Sequence, residues 1–252
     1  MQKPTRKIVR HIDEFEETVS LYQLIPAGQG KGITFLKKLV DQVHNDSFSK
    51  VPLYRTPSVL ICGKEGKGLI SKTYLRALGV EKIVEIEASF IEGESYLLAF
   101  LHGSNYNAGF IIHHIDKLND GLRNYIWEVV KHRKFSMYNF LNHFKENHSV
   151  RGFLVLTSGD KKKVHKAIID AVDFIVELEN YTQQQLELIV LQRLKFAGLN
   201  YENEEVLKEI IEYGNGQLRH TIKFLKDCYT VIRADGRDKL MLSDIQRAVR
   251  LR

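Results

Sequence analysis

Cysteine is scarce in this 252-residue sequence, and long uncharged apolar runs are absent from it. The two cysteines, Cys62 and Cys228, have neither CxxC spacing nor nearby metal-type ligands. This argues against a zinc site and against a disulfide framework, so we expect two buried thiols and no bound metal. Without an apolar run long enough to cross a membrane, we expect a soluble globular chain with no membrane partner.

The amino terminus also lacks the features of a secretory signal. Its first residues, MQKPTRKIVRHIDEF, are basic, but they contain no apolar stretch and no small-residue cleavage site. We therefore expect a cytoplasmic protein, in which residues 1–24 form a basic, helical amino-terminal extension.

Positive charge is in mild excess, since 37 Lys and Arg residues against 31 Asp and Glu residues give a net charge of +6. Such an excess suits contact with nucleic acid or with an acidic protein, and it identifies neither. The basic residues cluster in four segments, which are Lys3–Arg10, Lys131–Lys134, Lys161–Lys166 and Arg247–Arg252. Taken singly, each cluster is more typical of a solvated surface than of a binding site.

Apolar, strand-like runs alternate with helical segments between residues 25 and 181. The runs are SVLIC, IVEIEAS, AGFIIHHI, RGFLVLTSG and DFIVELEN. Because most of them are apolar on both faces, they predict a parallel sheet that helices cover on both sides. The predicted fold class is therefore α/β.

The pattern changes after Tyr181. Thr182 is a predicted helix N-cap, and the amphipathic segments that follow it end at polar or glycine stops. Residues 182–252 are thus predicted to form a small all-helical domain.

A glycine-rich turn follows the first predicted strand, in VLICGKEGKGLISKTYLRALGV. A nucleotide-binding α/β core followed by a small helical lid is the layout of AAA+ ATPases, and the chain resembles their RuvB branch over most of its length. The similarity begins at PAGQGKGITFLKKL, which resembles the family's entry segment before its first helix. The family's winged-helix domain has no counterpart here, which leaves open a natural stop or a truncation.

The glycine loop departs from the phosphate-binding pattern GxxxxGK[ST]. In that pattern backbone N–H groups cradle the phosphates, the lysine neutralises them and the hydroxyl holds magnesium. Here Leu69 stands in the place of the lysine and Ile70 in the place of the hydroxyl. Either a nearby lysine reaches a phosphate from another angle, or the loop is only an inherited turn. By the resemblance, the degenerate loop comprises Gly63, Lys64, Gly66, Lys67, Gly68, Leu69 and Ile70.

The segment GFIIHHIDKL resembles the family's Walker B strand. His113 and His114 stand where the family has its magnesium-binding aspartate and its catalytic glutamate, and Asp116 follows them. Histidine is a poor ligand for magnesium, which prefers oxygen. The pair suggests either a transition-metal site or a core-facing, hydrogen-bonded histidine. We favour the second hypothesis because successive strand residues point to opposite faces.

Three further positions follow from the resemblance. Ser158, or its neighbour Thr157, is the polar residue of a segment similar to sensor 1. Ala171 stands where the family has an arginine that reaches into a neighbouring subunit's site. Arg219 matches the lid arginine that touches nucleotide; alternatively, it pairs with a carboxylate such as Glu212.

An insertion, KHRKFSMYNFLNHFKENHSVR, occupies the place of the family's hairpin before sensor 1. Interleaved basic and aromatic side chains suit a DNA contact, and exposed aromatics equally suit a protein partner. A third hypothesis is that the aromatics pack on the core and have no binding role. The candidate contact residues are Lys131, Arg133, Lys134, Phe135, Tyr138 and Phe140.

The loop lysine, the loop hydroxyl, the acidic pair and the trans-acting arginine are all replaced, while the hydrophobic pattern is intact. By the resemblance we expect a catalytically inactive subunit or adaptor in DNA replication, recombination or repair. No cofactor is expected, and the candidate partners are the chain itself, another AAA+ subunit and DNA. Two alternatives stay open. One is a divergent ATPase that binds ATP and magnesium through Lys64 or Lys67 and Asp116, and the other is a protein scaffold with no nucleic-acid role.

Overall fold

The computed structural model describes residues 11–24, 30–47, 57–102, 108–139, 144–149 and 152–251. Over these residues the chain divides into two compact units. The core unit comprises residues 20–22 and the described residues between 30 and 180. The helical unit comprises residues 181–251 together with residues 11–19, 23 and 24.

The core unit contains a five-stranded parallel sheet. The five strands are β1 (Val59–Cys62), β2 (Lys82–Glu87), β3 (Ala108–His113), β6 (Phe153–Ser158) and β7 (Phe174–Glu177). Their order in the sheet is β2-β3-β6-β1-β7, so β2 lies at one edge, beside β3. Every residue of β1 and of β6 is buried, as expected for strands that helices cover on both faces.

Helices pack on both faces of this sheet, which confirms the predicted α/β class. Phe110 and Ile112 of β3 share a core cluster with Leu97 and Ile126, which lie on two of the helices. The intervening Gly109 faces the opposite way, where Leu75 lies close to it. The helices are α2 (Gly30–Ser47), α3 (Lys67–Ala77), α4 (Glu94–His102), α5 (Arg123–His132) and α6 (Lys166–Ala171).

A separate antiparallel pair lies between α5 and β6. Its strands are β4 (Lys134–Asn139) and β5 (Phe144–Ser149), and their register places Tyr138 opposite Lys145. The pair forms part of the insertion that the resemblance aligns with the family's hairpin before sensor 1.

The helical unit surrounds its own core, in which Val190, Ile210, Phe224 and Ile232 are buried. Thr182 caps the first of its long helices as predicted, because its hydroxyl accepts a hydrogen bond from the Gln185 N–H group. The helices are α1 (Phe15–Thr18), α7 (Gln183–Phe196), α8 (Glu204–Tyr213), α9 (Leu218–Ala234) and α10 (Leu242–Arg250). The unit is not all helical, since β8 (Asn200–Tyr201) pairs in parallel with β9 (Lys239–Leu240).

Residues before Ser20, which the sequence assigns to a separate extension, pack into the helical unit where the structure describes them. Ile12 and Phe15 are buried. The Phe15 ring lies against the guanidinium of Arg193, 4.6 Å from the ring centroid, and Lys226 forms an ion pair of 2.6 Å with Asp13. A short apolar segment is thus held by one buried face and one exposed ion pair.

Cys62 and Cys228 are buried free thiols, as predicted, and burial raises the pKa of Cys62 to about 12. Among the helices that the structure describes, none is both long enough and apolar enough to cross a membrane. In the same described ranges, no three His, Cys, Asp or Glu side chains are grouped so that they would hold a metal ion.

Candidate functional site at the carboxyl edge of the sheet

The glycine loop connects β1 to α3 at the carboxyl edge of the sheet. The Gly63 N–H group donates to the Ser158 carbonyl at 3.0 Å, which ties the loop to β6. A Cβ atom on Gly63 would lie 2.7 Å from Leu178 Cβ, so only glycine fits this close approach. Gly66 has a φ of 79° at the N-cap of α3, a left-handed conformation that also favours glycine. Two of the loop glycines are therefore explained by geometry alone.

The two positions that carry lysine and hydroxyl in the phosphate-binding pattern are apolar, and Ile70 is buried. Its side chain belongs to the interior of the unit and offers no ligand to a cation. Nearby, Lys67 begins α3 and its Nζ lies 3.4 Å from the Lys64 carbonyl oxygen. Burial lowers the pKa of Lys67, while Asp116 and Glu87 favour its charged form. Lys67 thus lies within electrostatic range of two carboxylates that are distant from it in the sequence, Asp116 and Glu87.

Gly68 differs from the other two loop glycines because little surrounds it. The nearest heavy atom to a Cβ on this residue would be His113 Cε1 at 3.9 Å, an ordinary contact. Gly68 lies in the first turn of α3, where glycine is less favourable than alanine. Packing in the described structure therefore gives no reason for a glycine at this position.

His113, at the end of β3, is held by hydrogen bonds on both ring nitrogens. Its Nε2 lies 3.0 Å from Glu85 Oε2 and its Nδ1 lies 3.3 Å from Thr157 Oγ1. The other Glu85 oxygen pairs with Lys72 Nζ at 2.8 Å. Burial alone would raise the pKa of Glu85, but the hydrogen bonds from Lys72 and His113 outweigh it and lower that pKa. His113, which the resemblance aligns with the Walker B aspartate, thus already has two hydrogen-bond partners.

His114 lies just beyond the strand and has its own carboxylate partner. Its φ of 52° is left-handed, and its Nδ1 lies 2.6 Å from Glu87 Oε2. The expectation that the two histidine rings point to opposite faces of a strand is wrong, because the left-handed residue ends the extended backbone. The ring centroids are 6.5 Å apart. Both histidines are hydrogen-bonded, but both are only partly buried, so neither is the core-facing histidine that the sequence predicts.

Ser158 and Asp116 form a second polar contact at the same edge. The buried Ser158 Oγ donates to Asp116 Oδ1 at 2.7 Å, and it also accepts from the Asp160 N–H group at 3.2 Å. Asp116 belongs to a short 3-10 turn that follows His114. The structure therefore joins Ser158, the residue of the segment similar to sensor 1, to Asp116 by a hydrogen bond within the protein.

The remaining candidates lie elsewhere. Arg219 is exposed in the first turn of α9, in the helical unit, and Ala171 is buried at the end of α6. Lys131 is exposed near the end of α5. Lys134, Phe135 and Tyr138 lie on β4, whose side chains are outside the described part of the chain, and Phe140 lies outside the described residues altogether.

Arg133 is a correction to the predicted contact surface. It ends α5 with a left-handed φ of 53°, and its side chain is buried. Burial lowers its pKa to about 10, while Asp173 and Tyr74 favour the charged form. An arginine in the interior cannot contact DNA or a partner in this conformation, so Arg133 leaves the candidate set.

Sequence reasoning missed the two carboxylates that hold the histidines. Glu85 and Glu87 alternate along β2, and strand periodicity places them on one face. Their pairing with His113 and His114 depends on β2 lying next to β3, with Glu87 opposite His113. The alternation of glutamate with apolar residues in IVEIE therefore indicates that the two carboxylates share a face. The sequence does not show which strand lies beside β2.

The sequence matches no protein-family model and no curated protein. Solved structures of Thermotoga maritima RuvB, described as a Holliday junction branch migration motor, are similar at 15% identity with a TM-score of 0.72, over 94% of this chain and 73% of RuvB. A proline-to-glycine mutant of that RuvB gives a TM-score of 0.74 at 15% identity over 92% and 72%, and an arginine-to-alanine mutant gives 0.71 at 16% over 97% and 73%. The parallel sheet with its flanking helices is therefore the AAA+ α/β core fold that RuvB has.

Proposed function

We propose that this chain is a catalytically inactive, RuvB-like AAA+ subunit or adaptor in an assembly for DNA replication, recombination or repair. Its partners would be further copies of itself or another AAA+ subunit, and DNA. Support for the DNA context comes from the fold shared with a Holliday junction motor, an analogy of fold. Support for inactivity comes from the glycine loop and from the histidine pair.

The hydrogen-bonded position of His113 carries the proposal. An AAA+ ATPase needs a magnesium-binding carboxylate at this strand end, and His113 instead shares Glu85 with Lys72. The place of the loop hydroxyl is taken by the buried Ile70. With neither oxygen ligand, the charge of a triphosphate would rest on backbone dipoles alone, so nucleotide binding would be weak and hydrolysis absent.

An equilibrium titration with labelled ATP, with and without magnesium and extended to millimolar nucleotide, tests the proposal. We expect no saturable binding by the natural chain. A matched variant with Leu69→Lys, Ile70→Thr, His113→Asp and His114→Glu restores the standard groups and serves as the positive arm. Saturable, magnesium-dependent binding by the natural chain would overturn inactivity at the binding step.

One observation favours the divergent ATPase as a second candidate. Lys67 is half-buried near Asp116 and Glu87, and a Cβ on the adjacent Gly68 would meet no atom closer than 3.9 Å. If the chain is a divergent ATPase, Lys67→Ala and Asp116→Ala would each abolish its magnesium-dependent binding of ATP. Absence of ATP turnover, with or without DNA, would exclude this candidate.

The salt dependence of DNA binding distinguishes the third candidate, a protein scaffold with no nucleic-acid role, from the others. Binding to DNA that weakens steeply with salt concentration in log-log form would count against it. Sedimentation of the chain alone and with a candidate AAA+ subunit would then test the proposed partners.

A further inference from the structure

A basic segment that the candidate site does not use follows β6. Residues 161–166 read KKKVHK, and they form a 3-10 turn and the start of α6. We propose that Lys162, Lys163 and Lys166 contact the phosphate backbone of DNA. This deepens the proposed function and rests on its DNA context.

The turn is held in one conformation by groups on both sides of it. The Asp160 side chain accepts from the Lys162 N–H group at 2.9 Å, and the Asp160 carbonyl accepts from the Lys163 N–H group at 3.1 Å. Val164 and Ile168 are buried in the core cluster of the unit. The lysines therefore extend from a fixed backbone, which reduces the entropy that a contact would cost.

The charges of the segment are not neutralised within the protein. Lys161 pairs with Glu177 at 2.8 Å, whereas Lys162, Lys163 and Lys166 are exposed. Over the residues that the structure describes, these three ammonium groups form no ion pair and no hydrogen bond. By contrast, Lys72 and Lys226 are each paired with a carboxylate. Two unpaired cations on the turn and a third at the start of α6 give a local positive potential.

The segment offers charge without an apolar anchor, which favours DNA over an acidic protein. Protein interfaces obtain most of their binding energy from aromatic and other well-packed anchors at their centre. The apolar residue of this segment, Val164, is buried and unavailable. Contacts to DNA phosphates need only exposed cations, and they contribute affinity without sequence preference.

Fluorescence anisotropy with a labelled DNA duplex, over about 0.05 to 0.3 M salt, tests this surface. The test variant carries Lys162→Gln, Lys163→Gln and Lys166→Gln. The matched control carries Lys82→Gln, Lys208→Gln and Lys239→Gln, which removes the same charge from exposed lysines on three other elements. Thermal melting of both variants checks that they fold.

Each phosphate contact contributes about 0.9 to the slope of log affinity against log salt. We expect the magnitude of this negative slope to fall by about 2 to 3 in the test variant, and its affinity at about 0.1 M salt to weaken at least tenfold. The control variant should keep the slope of the natural chain.

Equal losses of DNA affinity in the test and control variants would contradict the proposed surface, because net charge alone would then explain binding. Unchanged binding in the test variant would contradict the proposed surface while leaving the DNA context intact.

If the natural chain bound no duplex at any salt concentration, both this surface and the DNA part of the proposed function would fail. Binding to a polyglutamate peptide without binding to DNA would overturn it in favour of an acidic protein. The ATP titration would still test inactivity separately.

Discussion

Two charged clusters, one in each unit, both pair carboxylates with basic side chains, but their carboxylates differ in burial. The α10 cluster comprises Asp235, Arg237, Asp244 and Arg247, and the edge cluster comprises Lys72, Glu85, Glu87, His113 and His114. In the first, a carboxylate is sealed from solvent; in the second, every carboxylate is partly exposed. The α10 cluster therefore secures the fold, whereas the edge cluster lies at the candidate site.

The α10 cluster fixes the start of the last helix. The Asp244 side chain is only 1% exposed, and both of its oxygens accept from the Arg237 guanidinium. One oxygen also accepts from the Met241 N–H group at 3.0 Å, ahead of the helix. A buried carboxylate needs all of these donors, since an unpaired charge in the interior is costly.

The edge cluster fixes no element in this way. The side chains of Glu85 and Glu87 are 34% and 38% exposed, and their histidine partners lie at the end of β3. Water can replace part of each pair, so each contributes less to stability. The edge cluster therefore stabilises the fold less than the α10 cluster does, and its histidines lie at the candidate site at the carboxyl edge of the sheet.

The largest effect is expected in the α10 cluster. Asp244→Ala would remove the buried partner of Arg237 and the cap of α10, so we expect a loss of about 3 kcal/mol in the free energy of unfolding. Urea denaturation measures it. The exposed Asp238→Ala is the control and should change stability by less than about 0.5 kcal/mol. Equal losses in both variants would remove the distinction between the clusters.

The next effect concerns the loop beside the edge cluster. Gly63→Ala would place a Cβ 2.7 Å from Leu178 Cβ and 3.3 Å from the Leu178 carbonyl, neither of which can move without the backbone. We expect a loss of about 2 kcal/mol by denaturant unfolding. A neutral result would mean that the loop is not held by packing and would weaken its interpretation as an inherited turn.

Gly68→Ala should act in the opposite direction. Its Cβ would meet only His113 Cε1 at 3.9 Å, and alanine restricts the unfolded chain. We expect a gain of about 0.5 kcal/mol in the free energy of unfolding, with ATP binding as undetectable as in the natural chain. A variant that lost a measurable nucleotide affinity would instead show that a phosphate approaches this glycine.

The smallest effect is a pH dependence that distinguishes the two clusters. Glu85 and Asp235 both have a lowered pKa in the folded chain, Asp235 because Arg247 and Arg237 hydrogen-bond to it, which brings it to about 2. Each therefore stabilises the fold above its unfolded pKa, 4.5 for Glu85 and 3.8 for Asp235, and this contribution is lost as pH falls through the folded value. Glu85→Gln should flatten the stability curve from about pH 4.5 downward, and Asp235→Asn should flatten it from about pH 3.8 down to about pH 2.

Thermal melting from about pH 6 to about pH 2.5 would record both curves. Identical profiles for the two variants and the natural chain would show that neither cluster contributes through its carboxylates.

Much of the local structure could be predicted, and the misses have physical causes. Thr182 caps its helix as predicted, because capping depends on residues three apart in the sequence. Arg133 was predicted as a surface contact but is buried, since a basic run does not reveal which of its members ends a helix in the left-handed conformation. The β8–β9 pair was missed because two-residue strands have no periodicity to detect.

The sequence by itself determined the α/β class, because apolar runs and amphipathic helices are local patterns that allow few ways to bury their surfaces. It also determined which residues stand in the glycine loop and at the end of β3. Only the tertiary structure decided that Glu85 and Glu87 hold the two histidines, and that Ser158 holds Asp116. Those contacts join residues between 27 and 42 positions apart, and strand order, which arises from packing rather than local preference, sets them.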